Sequence, residues 1–81
     1  MSTRQQRMAQ RALAFIESEI IAGRGFPRMT EVADVAGYTG PNRASSAEKM
    51  CRRMAEEGHL ASYWSSGIRR YELLEPEKVV A

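Results

Sequence analysis

The stretch YTGPNRASSAEKMCRRMAEEGHL, residues 38–60, decides how this chain folds. Gly37 and the run Gly40-Pro41-Asn42 turn the backbone, after which Ser45 to Glu57 read as one amphipathic helix closed by Gly58. At about 100° per residue, Ala44, Ala47, Met50, Cys51, Met54 and Ala55 fall on one arc, and Asn42, Ser45, Lys49, Arg52, Arg53 and Glu56 fall opposite. One arc packs. The other presents cations and amides, the groups that fork onto phosphate oxygens and onto base edges in the major groove, so the segment is expected to be a recognition helix. Ser45-Ser46-Ala47-Glu48 has the spacing of a capping box and is the preferred start; Thr39, or Asn42 after Pro41, would begin the helix earlier.

Around this helix the chain has room for one domain, residues 1–81. At 81 residues it lies near the lower limit at which a core offsets chain entropy without metal or disulfide staples, so modest stability or a dimer is expected. No apolar run approaches a membrane span or a signal-peptide core, and the expected location is the cytoplasm, on the nucleoid. The single cysteine excludes an internal disulfide; Cys51 lies on the apolar arc and reads as a small buried hydrophobe. A net charge of +2 says little by itself, but its distribution says more. Arg4, Arg7 and Arg11 crowd the amino end, Arg43, Lys49, Arg52, Arg53, Arg69 and Arg70 the second half, and Glu72, Glu75 and Glu77 the tail.

Upstream, Thr3 to about Ala22 read as a first helix, capped by Ser2 or Thr3 and stopped by Gly23 and Gly25. Its apolar face carries Ala9, Ala12, Leu13, Phe15, Ile16, Ile20 and Ile21; Arg4, Gln5, Arg7, Gln10, Arg11, Glu17 and Ser18 face outward. Phe26 is expected to tuck under the helices from the following loop. A short helix, Thr30 to Ala36, should be capped by Thr30, ended by Gly37, and kept small by Val32, Ala33, Val35 and Ala36 so that another helix can approach closely. Two helices joined by a glycine-bearing turn, the second with a polar outer face, make a helix-turn-helix.

Downstream the period changes to alternation. Leu60 to Trp64, a three-residue turn Ser65-Ser66-Gly67, and Ile68 to Leu74 read as a β-hairpin, with Tyr71 and Leu73 toward the helices and Arg69 on the same face nearer the tip. Residues 75–81 should fray. The expected fold is mainly α with a small hairpin: three helices plus a wing.

With its elements in that order, the chain resembles the winged helix-turn-helix DNA-binding domain of LexA-type repressors. The resemblance is carried by Gly25-Phe26-Pro27, Glu31-Val32-Ala33, Gly37-Tyr38, Pro41-Asn42 and Gly67-Ile68-Arg69. The segment from Pro41 to Gly58 is longer than in that family and no protease domain accompanies it, so self-cleavage and SOS control are not implied. What the resemblance implies is a small DNA-binding regulator, most simply a repressor, of the kind encoded by phages, plasmids or mobile elements, with the base-reading role of the turn asparagine carried to Asn42. Such proteins often bind palindromes as homodimers; the outer part of the first helix, or Val79 and Val80, are the candidate surfaces.

The expected partner is therefore double-stranded DNA, through Asn42, Arg43, Ser45, Ser46, Lys49, Arg52, Arg53, Arg69 and Arg70. The competing reading is a protein-interaction module that docks through Tyr63 and Trp64 on the wing, since fold does not fix function; packing inside the domain is the bland alternative for at least one of the two. An enzyme is not expected. His59, the only histidine, reads as a partly exposed turn residue without a zinc-spaced partner, no phosphate-binding glycine loop follows a strand, and no cofactor or small-molecule ligand is implied.

Overall fold

The computed structural model describes residues 3–73; Ser2 and the tail expected to fray lie outside the described residues. Helix α1 spans Arg4–Ile21, α2 Met29–Ala36 and α3 Arg43–Glu56, followed by strands β1, Leu60–Ser65, and β2, Ile68–Leu73. Three helices plus one antiparallel hairpin give a winged helix-like arrangement.

α1 starts where Thr3 can cap it. The Thr3 hydroxyl accepts the Gln6 N–H at 3.2 Å and the Gln6 side chain accepts the Thr3 N–H at 2.9 Å, so two end donors are satisfied reciprocally. Met8, Ala12 and Ile16, four residues apart, form its buried stripe. Ile21, read as part of the apolar face, is instead 83% exposed at the last position of the helix.

α2 begins one residue before the expected Thr30. Arg28 is the cap residue, and its N–H donates to the Glu31 carboxylate at 3.3 Å; Thr30 sits inside the first turn and does not cap the helix. Val32, Ala33 and Ala36 are fully buried, letting α2 pack on both α1 and α3; Val35, expected with them, faces outward. Gly37 closes the helix at φ +102°, where its own N–H and that of Tyr38 both reach the Ala33 carbonyl, at 3.0 and 2.9 Å.

α3 starts at Arg43, not Ser45. Arg43 N–H already bonds the Gly40 carbonyl at 3.3 Å and Ser46 N–H the Asn42 carbonyl at 3.1 Å, so the turn runs straight into the helix, with Asn42 as its cap residue but without a side-chain cap bond. The Ser45–Glu48 capping box does not form; the Glu48 carboxylate is engaged elsewhere, by the Tyr71 hydroxyl at 2.7 Å. Ala47, Met50, Cys51 and Met54 are buried, as the apolar arc requires.

The hairpin turn has two residues rather than three. Ser65 pairs with Ile68, leaving Ser66 and Gly67 as the loop with φ of +52° and +76°, the sign a type I′ turn needs at both positions and the one whose twist suits a hairpin. In this register Leu60/Leu73, Ser62/Tyr71 and Trp64/Arg69 share one face, and Ala61/Glu72, Tyr63/Arg70 and Ser65/Ile68 the other. Leu60 and Tyr71 anchor the hairpin in the core, each at most 4% exposed, and the half-buried Phe26 ring packs 6.1 Å from that of Tyr71. Burying Leu60 alone contributes about 1.5–3 kcal/mol.

Candidate nucleic-acid interface

The outer face of α3 is uncovered along its length. Asn42, Ser45, Lys49, Arg52, Arg53 and Glu56 are all exposed on it, because the buried residues of the same helix hold the opposite arc against α2 and the hairpin. Lys49 and Arg53 have no ion-pair partner among the described residues, so both charges are available to a ligand.

The remaining candidates are partly committed within the molecule. Arg43 is half-buried, its side chain 38% exposed, with Nε 3.0 Å from an Asp34 carboxylate oxygen in an ion pair that lacks hydrogen-bond alignment. A second bond, 3.4 Å from Nη1 to the Gly40 carbonyl, ties it to the turn, so Arg43 fastens α3 to α2. The Ser46 hydroxyl turns back to the Asn42 carbonyl at 3.4 Å. Arg52 leans toward Glu48 at 3.8 Å, a screened i,i+4 pair that a phosphate can replace.

Two elements frame this face. On one side α1 contributes Gln5, whose amide donates to the Tyr38 hydroxyl at 3.1 Å; Gln5, Tyr38, Ser46, Lys49 and Arg53 border a hollow of about 200 Å³. Arg4 lies beside the turn that precedes α3, next to Tyr38 and Thr39, and like Arg7 and Arg11 is exposed and unpaired among the described residues. On the other side stands the wing, joined to α3 through the Tyr71–Glu48 bond. Burial, and then Glu48, push the Tyr71 phenol up to about 12, and burial pushes the Cys51 thiol up to about 12, so both stay protonated at neutral pH.

The wing arginines occupy different ground from the α3 strip. The Arg69 guanidinium stacks on the Trp64 ring, 5.0 Å from its centre, while Arg70 is exposed on the opposite face of the hairpin. Neither wing aromatic is buried: Tyr63 is 44% and Trp64 68% exposed, and Ile68 beside them is 58% exposed. Sequence reasoning missed three features here, namely the Asp34–Arg43 pair, the acceptor role of Glu48, and the hollow that Arg28 lines together with hairpin residues Tyr63 and Ile68. The first two depend on contacts across the fold, which no local spacing signals. His59 is exposed, with Nε2 3.8 Å from Glu57, and among the described residues no three metal-binding side chains converge. No helix among the described residues is long and apolar enough to cross a membrane. Comparison with protein-family profiles, with curated proteins and with solved structures found no match to this chain.

Proposed function

We propose that this chain binds double-stranded DNA sequence-specifically as a small winged helix-turn-helix regulator, a repressor of the phage or plasmid kind, with α3 in the major groove. The observation that carries the reading is the uncovered strip of α3, on which Ser45, Lys49, Arg52 and Arg53 project together and two of the three cations are uncommitted. An α-helix fits the major groove, and a lysine or arginine on its outer face reaches either phosphate or the O6/N7 edge of guanine. Exposed Arg4, Arg7 and Arg11 on α1 support it by adding charge that can follow a phosphate backbone. Binding of a palindrome by two copies of the chain belongs to the same proposal.

Selection of bound duplexes from a random pool, followed by salt titrations of the selected site, tests it. Lys49→Ala and Arg53→Ala should weaken binding while leaving the fold intact. A residue that touches only phosphate should lower the log–log salt slope by about one, whereas one that reads a guanine should cost ~1–3 kcal/mol and relax preference at a single position. Failure to enrich any duplex, or parent-like affinity in both variants, would remove α3 as the DNA-reading element.

A further inference from the structure

A second surface lies on the wing side of the molecule. The loop entering α2 and the hairpin enclose a hollow of about 290 Å³, to which Phe26, Met29, Tyr63 and Ile68 give an apolar lining. Arg28 borders it from the loop, and Arg69 and Arg70 border it along β2 from the two faces of the hairpin; among the described residues no carboxylate lines it and none of the three arginines has an ion-pair partner. Arg69, one of the lining residues, stacks on the Trp64 ring, which itself lies outside the lining. No residue of α3 takes part.

We propose that this hollow docks an acidic segment of a partner protein, one that carries an aromatic or aliphatic side chain between its carboxylates. Three considerations select that occupant. Charge comes first: arginines that border the hollow and are unpaired among the described residues favour a run of Asp or Glu, and an arginine can hold a carboxylate in a forked pair. Composition comes second, because exposed aromatic and aliphatic side chains interleaved with arginine are the makeup of protein-interface anchors. Phosphates would satisfy the arginines but leave Tyr63 and Ile68 facing water, and a duplex has little apolar surface to cover them. Size comes third: the volume sits at the bottom of the range for ligand pockets, about 300 Å³ upward, and so holds one or two side chains of a short segment. The inference does not rest on α3 binding DNA, because the two surfaces share no residue of α3.

The test pans a library of random short displayed peptides on the full chain and measures affinity of the enriched peptides by the fluorescence of Trp64, the only tryptophan. Enriched sequences should combine Asp or Glu with an aromatic or aliphatic residue. Ile68→Ser and Arg70→Glu should each weaken them by about tenfold or more, the loss expected when an interface anchor is removed, while Lys49→Ala and Arg53→Ala leave peptide affinity unchanged. Both hollow substitutions are at exposed positions, so an unaltered circular dichroism spectrum confirms that folding is not the cause. Enrichment of basic or uncharged peptides, or equal binding to Ile68→Ser, overturns the proposal. So does a selected duplex that displaces the peptide and loses as much affinity to Ile68→Ser, since the hollow would then be a DNA contact.

Discussion

The inner arc of α3 and the outer half of the wing are built from similarly apolar residues, yet one is sealed and the other open. Ala47, Met50, Cys51 and Met54 meet α2 and the hairpin and are almost fully buried, whereas among the described residues nothing covers Tyr63, Trp64 and Ile68. The difference lies in the neighbours rather than in the side chains. A helix buries its apolar stripe wherever a second element runs alongside it; a two-stranded hairpin has a helix beneath only its base, where Leu60 and Tyr71 sit, and its tip reaches past the core. Stability should therefore be concentrated at the base of the wing and recognition at its tip.

The strongest way to break this contrast is to truncate an apolar residue at each end of the hairpin. Leu60→Ala should cost about 2–5 kcal/mol in urea unfolding, since it removes a fully buried side chain and leaves a cavity, while Ile68→Ala should stay within about 0.5 kcal/mol. Similar losses at the two positions would mean that the tip is packed after all.

A smaller effect sharpens the description of the base. Tyr71→Phe removes the hydroxyl that donates to Glu48 and should cost about 1.5–3 kcal/mol near neutral pH, the range for a bond to a charged group. The same variant has a signature at high pH. The folded state holds the Tyr71 phenol protonated, with its pKa raised from 10 to about 12, first by burial and then by Glu48. Its contribution is thus complete below pH 10 and lost as pH rises through 12. Cys51, raised by burial from 9 to about 12, behaves alike from pH 9 upward. Parent stability should fall between pH 9 and 12, and the Phe variant should fall less steeply over the upper part of that window. Parallel curves would show that a phenolate is tolerated at position 71.

The smallest expected effect concerns the start of α3. Ser45 sits in the first turn rather than at the cap, so Ser45→Ala should change stability by less than about 0.5 kcal/mol; a loss near 1 kcal/mol is what a true cap would show.

These cases also show where sequence reading succeeds. The two arcs of α3 were legible because the helical period sorts side chains before any partner is known, and Gly37 and Gly58 marked its surroundings because a left-handed residue has few substitutes. The starts of α2 and α3 were displaced because capping depends on which acceptor is free: Glu31 served α2, and Glu48 was drawn to a tyrosine 23 residues away. The hairpin was legible in its alternation but not in its turn length, since Ser66 at positive φ is uncommon for a residue with a side chain. Of the candidate site, the α3 residues stand together as read, except that Arg43 is drawn to Asp34, a pairing that arises only when α2 and α3 are packed.

The bond between Glu48 and Tyr71 bears on which positions of α3 tolerate change. Positions 45, 49 and 53 carry outward side chains whose replacement leaves the core alone, so they form a set that can be randomised freely. Position 48 lies in the same helix but anchors the hairpin through Tyr71 and stands 3.8 Å from Arg52. A library that varies it would select first for survival of the fold, and the glutamate would return whatever binding was selected for.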